Sequence, residues 1–227
     1  MLLKNYLWLG ESWLNEEEVN AVRLLGESKP PEEGKTGTGP ADPDAPPDND
    51  EKMIHSDLRQ SVVSWFDIRE LPSHVSDKIN SGVDRAMRES DWYHKLEYME
   101  TLQYTTYEGP EVYNGEGQDF YTWHTDHGGE IGPDGMHRKM SFSIQLSDPD
   151  DYEGGHFQWI EHYEQFNSLE KNSGEVNLDK CVRTVPFRGK AKGTMIVFPS
   201  FVYHQVTPVT KGIRKSLVGW IHGYPYV

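Results

Sequence analysis

Cysteine is nearly absent from this chain of 227 residues: Cys181 stands alone. No intrachain disulfide can form, so the fold has to rest on its core, and the usage fits a reducing compartment. Cys181 lies in an apolar-flanked stretch and reads as a small buried residue rather than a nucleophile. Long apolar runs are missing too. None approaches the roughly 18 residues that a membrane span needs. The stretch Met1 to Leu9 has one Lys and a short apolar run, with Glu11 soon after and no small-residue cleavage site. It reads as a first strand rather than a signal peptide, and the expectation is a soluble, cytoplasmic protein without a membrane partner. Positive charge is scarce: 22 Lys and Arg stand against 37 Asp and Glu, a formal net charge of -15. Such a surface repels phosphate backbones, so no nucleic-acid partner is expected. The chain also lacks a His-Glu-x-x-His helix, which removes the usual zinc-hydrolase motif.

What is abundant is aromatic: 7 Trp, 12 Tyr and 8 Phe. That favours a packed body over a disordered chain, and the length suits one domain over 1–227. Residues 1–95 read as a supporting strand and two helices. Asn15 and Glu18 form a capping-box pattern ahead of Val19, Val22 and Leu25, with Gly26 as the expected stop. The spacing of Val75, Ile79, Val83 and Met87 predicts a second helix from Pro72 to Ser90. Between these helices, Pro, Gly, Asp and Glu dominate about 29–50, which reads as a loop insert; Leu58–Phe66 reads as a strand. In 96–227 the pattern changes to short β-branched and aromatic runs: Glu97–Tyr107, Phe120–Thr125, Lys139–Ser147, His156–Glu161, Val182–Arg188, Thr194–Phe198, Tyr203–Val206 and Arg214–Ile221. Two helices followed by many short strands predict an α+β, mainly β, sandwich or barrel with the helices packed on one sheet.

Within Tyr121-Thr-Trp-His-Thr-Asp-His127, His124 and Asp126 stand two apart. On a strand such residues share a face, so an imidazole and a carboxylate can meet one ion. The stretch Gly193 to His204 reads as a strand, a turn at Pro199-Ser200 and a return strand, able to deliver His204 as a third ligand. Two imidazoles and one carboxylate hold one face of an octahedral ion and leave three positions free, which suits non-haem iron(II) and oxygen. His127, His137, His156 and His162 are rivals, each without a same-face carboxylate on a convincing strand. Ten residues past His204 comes Arg214, sharing a strand face with Ser216, Val218 and Trp220. A guanidinium grips a carboxylate with two parallel bonds, and an inward Arg needs some partner.

Taken together, Tyr121–Asp126, Arg138–Asp148, Tyr152-Glu-Gly-Gly155 and Gly193 through His204 to Ser216 resemble the prolyl 4-hydroxylase-like branch of the iron(II)/2-oxoglutarate oxygenases, the bacterial and phage type. The resemblance covers about Leu102 to His222, in the family's order. It implies a double-stranded β-helix, or jelly roll, with the N-terminal helices buttressing one sheet. It implies iron(II) on His124, Asp126 and His204, and 2-oxoglutarate held at its distal carboxylate by Arg214, with Ser216, Tyr107 and Gln145 as further co-substrate residues. It also implies molecular oxygen as reactant, ascorbate as accessory reductant, and a peptidyl proline on a protein or peptide substrate. Trp123, Trp159, Trp220 and Tyr203 are candidates to line an aromatic groove for such a peptide, with core packing the competing and favoured role of each. The chain departs from the family in having His156 where an acidic residue often follows the Gly pair, and in the apparent insertion from Pro110 to Asp119. Two other readings compete: a non-catalytic jelly-roll binding module, and an oxygenase acting on another protein residue or a small molecule. Base-repair relatives place the anchoring Arg nearer the distal His, where this chain has Thr210.

Overall fold

A computed structural model of the protein describes residues 5–36, 57–115, 117–127, 135–161 and 181–225. Helix α1 spans Glu16–Glu27 and α2 spans Ser73–Glu89. The α1 capping box forms: the Asn15 side chain accepts from the Glu18 N–H at 3.0 Å, and the Glu18 carboxylate accepts from the Asn15 N–H at 2.7 Å. Gly26 does not stop α1. It lies buried inside the helix, where a Cβ would fall 2.4 Å from the Tyr104 ring, so close packing is what calls for glycine there. Pro72 is the N-cap of α2, whose buried stripe is Val75, Ile79, Gly82, Val83 and Ala86.

The strands are β1 Trp8–Gly10, β2 Glu32–Glu33, β3 Arg59–Gln60, β4 Val62–Phe66, β5 Tyr98–Met99, β6 Leu102–Glu108, β7 Phe120–His124, β8 His137–Gln145, β9 Tyr152–Gly154, β10 Phe157–Ile160, β11 Val182–Thr184, β12 Met195–Pro199, β13 His204–Val206 and β14 Val209–Gly223. Among the described residues they form two antiparallel sheets. The larger runs β1-β12-β8-β14-β6-β4-β2, with β5 and β9 also pairing to β14; the smaller runs β11-β10-β13-β7-β3. The architecture is a double-stranded β-helix, mainly β, with the two helices packed on the larger sheet.

Period-two alternation builds the two faces of the larger sheet. Met140, Phe142 and Ile144 on β8, Leu217 and Ile221 on β14, and Met195 and Val197 on β12 join the helix stripes in one core. The opposite face is small and polar in its middle, with Ser141 and Ser143 on β8 and Ser216 on β14. Few bulky groups fill the space between the sheets there, and a cavity of about 640 Å³ remains, lined from both sheets.

Other sequence expectations need correction, among them Val182–Arg188, where the strand ends at Thr184 and a 3-10 turn follows at Phe187–Lys190. Leu58–Phe66 is two strands: Ser61 separates β3 on the smaller sheet from β4 on the larger. Glu97–Tyr107 likewise divides into β5 and β6. The expected hairpin from Gly193 to His204 is a crossover, because β12 pairs with β8 and β1 while β13 pairs with β10 and β7. The insert at 29–50 includes edge strand β2, paired to β4, and the rest of it beyond Thr36 lies outside the described residues. Strand β9 has no counterpart in the sequence reading; its Gly-rich end conceals the β pattern.

Phe142 and Gly219 are cross-strand partners, and a Cβ on Gly219 would lie 2.4 Å from the Phe142 ring. Gly219→Ala is expected to cost about 1–3 kcal/mol in urea unfolding, and Phe142→Leu in the same chain to recover part of it. Strictly additive losses would contradict that close approach.

Candidate metal centre

His124 ends β7 and His204 begins β13, and the register pairs them directly. Residues opposed on an antiparallel pair project from the same face, and the ring centroids stand 4.2 Å apart. Each ring is oriented by its own backbone: His124 Nδ1 lies 2.7 Å from the Thr122 carbonyl, and His204 Nδ1 lies 2.8 Å from the Val202 carbonyl. A carbonyl only accepts, so both Nδ1 atoms carry the hydrogen and both Nε2 lone pairs are left for a metal. Those Nε2 atoms point at Asp126, at 3.5 Å from His124 and 3.7 Å from His204.

Asp126 lies just beyond β7 rather than on it. Its N–H, and that of His127, donate to the Ser200 carbonyl at 2.8 and 3.1 Å, so the turn after β12 holds the carboxylate in place. Ser200 is fixed in turn by Ser141, 2.9 Å away between hydroxyl oxygens. Hydrogen bonding to a turn, not strand geometry, positions Asp126 beside the two imidazoles.

One ligand atom from each of the three residues lies within 4.8 Å of the others. Burial pushes His204 down to about 4, helped by His124 and opposed by Asp126, so its imidazole is neutral at neutral pH. Burial pushes the Asp126 carboxyl up, but the two His outweigh this and hold it well below the usual carboxylate range. A neutral imidazole at His204 and an ionised carboxylate at Asp126 suit a divalent ion. Phe157 stacks on His204 and Phe198 meets it edge-on, with centroids at 5.2 and 4.7 Å, giving the site an apolar wall.

Across the same cavity is Arg214, 1% exposed. Its Nη1 donates to Ser216 Oγ at 3.3 Å and its Nη2 to Gln145 Oε1 at 3.1 Å, while Nε has no partner. Among the described residues no carboxylate pairs with it. The guanidinium carbon is 5.3 Å from the Tyr107 ring centre, so Tyr107, Gln145 and Ser216 all gather around Arg214. Gln145 touches Arg214 but is not part of the cavity wall, whereas Tyr107 and Ser216 are. The sequence pair Gly154-Gly155 has a physical reason here: a Cβ on Gly155, at φ 55°, would sit 2.7 Å from Arg214 Cδ. Of the four candidate groove residues, Trp123 and Trp220 line the cavity, and Tyr203 stacks on Trp123 at 5.6 Å. Trp159 and Tyr203 do not line it.

The sequence pattern of the 2OG-Fe(II) oxygenase superfamily matches residues 103–222. The chain belongs to that superfamily. A PKHD-type hydroxylase of Synechococcus sp. (strain CC9902) is 33% identical over 108 residues, 47% of this chain and 37% of that protein. Another, of Maricaulis maris (strain MCS10), is 31% identical over 87 residues, 38% of this chain and 31% of that protein. The chain thus spans only about a third of the length of these curated relatives. Two solved structures share the fold. A viral collagen prolyl hydroxylase from Paramecium Bursaria Chlorella virus-1, as a 2OG complex, superposes with a TM-score of 0.57 at 16% identity, covering 97% of both chains. A Pseudomonas putida prolyl-4-hydroxylase gives 0.57 at 18% identity, covering 98% of this chain and 95% of that one.

Two arginines of the cavity, Arg138 and Arg59, escaped the sequence reading as individuals. Arg138 donates two bonds to Glu100, at 2.6 and 2.7 Å, and lies 4.0 Å over the Trp220 ring. Its position two residues before the β8 core run was a visible signal.

Asp126→Asn is expected to weaken metal retention by more than about 100-fold, measured by equilibrium dialysis against zinc or iron(II), with the metal-free fold at least as stable as the parent. Unchanged retention would remove Asp126 from the ligand set. A second prediction concerns Glu100. Burial pushes its carboxyl up, but Arg138 and His222 outweigh this and hold it below its ordinary value. A carboxyl held low contributes stability above its unfolded pKa, and that contribution is lost as pH falls through the lower folded value. Below about pH 4.3, Glu100→Gln should therefore lose stability less steeply than the parent in urea titrations.

Proposed function

We propose that this chain is an iron(II)- and 2-oxoglutarate-dependent dioxygenase that hydroxylates a substrate carbon, with a peptidyl proline as the favoured target. The observation that carries the reading is a buried, carboxylate-free Arg214 in the same cavity as the His124–Asp126–His204 cluster. A buried guanidinium without an anion is costly, and a 2-oxoglutarate carboxylate supplies one. Iron(II) on the triad would supply activation of molecular oxygen coupled to oxidation of 2-oxoglutarate to succinate and carbon dioxide.

The residues of the chain bind, orient and exclude water. Backbone carbonyls at Thr122 and Val202 fix both ligand tautomers. Arg214 would hold the distal carboxylate through its guanidinium, which Gln145 and Ser216 brace. Tyr107, Phe157 and Phe198 keep the cavity floor dry. No side chain is assigned as acid or base. The proline target is supported by similarity: the curated relatives are named PKHD-type hydroxylases, the two structures above are named prolyl hydroxylases, and a third, from Trichoplax adhaerens, is a prolyl hydroxylase in complex with a hypoxia inducible factor peptide fragment. Trp123, Trp65 and Trp220 give the cavity an aromatic wall of the kind that receives extended Pro-containing peptides.

Purified protein supplied with iron(II) and 2-oxoglutarate should release succinate slowly without any substrate, assayed with and without ascorbate. Absence of both succinate release and keto-acid binding would leave a non-catalytic binding module. Arg214→Ala should raise the 2-oxoglutarate requirement by at least about 30-fold, matching the roughly 2 kcal/mol or more lost with a buried charge partner, and change metal affinity far less. An unaltered co-substrate requirement would take Arg214 out of the site.

A further inference from the structure

The cavity holds a second buried cation that the co-substrate does not require. Arg59 is 6% exposed and lines the same cavity from β3, on the smaller sheet. Arg214 lines it from β14, on the larger sheet. The two guanidiniums therefore belong to opposite walls.

The chain is built closely around the Arg59 head group. Its Nε donates to Ser61 Oγ at 2.8 Å and its Nη1 to the Lys35 carbonyl at 3.2 Å. Its guanidinium carbon lies 4.7 Å from the Tyr121 ring centre, a cation–π distance. Gly34 passes over it so tightly that a Cβ there would fall 2.7 Å from Nε and 3.0 Å from the guanidinium carbon. Two of its three nitrogens and one flat face are thereby occupied by neutral groups. The third nitrogen, Nη2, is buried and has no partner. Among the described residues no carboxylate pairs with Arg59.

The other cavity cations and anions do not resolve this charge. Arg138 is neutralised by Glu100. Glu32 lines the cavity, but its carboxylate accepts from the Trp65 indole at 2.6 Å. Asp126 belongs to the metal cluster. A fixed, desolvated guanidinium with one free edge is stabilised most by an oxyanion that arrives with a ligand. Tyr121 links Arg59 to the cluster, because the ring that meets the guanidinium also stacks on His124 with centroids 3.5 Å apart.

We propose that Arg59 is a specificity-determining anchor, and that its guanidinium, unmatched by any carboxylate among the described residues, binds a carboxylate carried by the molecule to be hydroxylated. The proposal rests on the dioxygenase reading and narrows its substrate class to acids: a small acid such as an N-acylated proline, or a peptide with an acidic residue beside its proline. One wall then holds the co-substrate acid and the other holds the substrate acid, so two carboxylates share one cavity without competing for a single cation.

The test uses the full chain loaded with zinc and saturated with 2-oxoglutarate, so that binding is read by calorimetry without turnover. Two matched pairs serve as probes: N-acetyl-L-proline against its amide, and acetyl-Pro-Asp-amide against acetyl-Pro-Asn-amide. At least one acid is expected to bind tenfold or more tightly than its neutral partner, and the pair that shows this separates a small acid from an acidic peptide. Arg59→Gln should abolish the preference and Arg59→Lys should retain part of it, with melting curves confirming that both variants fold. The proposal is overturned if no acid outbinds its neutral partner, if Arg59→Gln keeps the preference, or if that variant weakens 2-oxoglutarate more than it weakens the acid. Succinate release by the unmodified iron-loaded chain is scored separately. If that occurs while the acid preference is absent, only the Arg59 inference fails.

Discussion

One ladder position governs the site: the direct pairing of His204 with His124 across β13 and β7. That register sets the imidazoles side by side, and their carbonyl partners at Thr122 and Val202 aim both free nitrogens at Asp126. A slip by one residue would turn one ring to the far face of the smaller sheet. The turn at Ser200 supports the arrangement from the larger sheet, since it holds Asp126 through backbone bonds. The candidate metal centre is thus a product of both sheets, even though both imidazoles stand on one.

The larger sheet divides its labour by alternation. Its apolar face meets α1 and α2 in the main core, while its serine-rich face leaves the volume a ligand can use. A second, smaller core of Phe157, Val185, Ile196, Phe198 and Val202 lies behind His204. It keeps the imidazole desolvated, which is the main reason His204 is held neutral. Packing and chemistry are therefore coupled through β12, whose residues alternate between the two cores.

Much of this was legible in the sequence, for physical reasons. The capping box of α1 and the stripe of α2 are local signals, and they appear as read. The two-residue spacing of His124 and Asp126 and the ten residues from His204 to Arg214 are visible in the chain, and the structure gathers all four around one cavity. Sheet membership was not legible. Nothing in Leu58–Phe66 says that Ser61 separates two sheets, and the step from Pro199 to His204 looks like an ordinary hairpin until its partners are known. Gly26 was misread because helix-ending glycines and packing glycines look alike without Tyr104 in view. Arg59 gave no signal either, since its value depends on Tyr121, Gly34 and Lys35 from other segments.

The single residue between β3 and β4 has a mechanical consequence. With Arg59–Gln60 zipped to β7 and Val62–Phe66 zipped to β6, Ser61 acts as a seam that ties the two walls together at that corner. One residue offers almost no slack, so the walls cannot be prised apart there. Any breathing that admits a bulky guest has to occur along the other margins of the sandwich, and Arg59, stitched beside the seam, stays a stationary reference point against which an arriving molecule is measured.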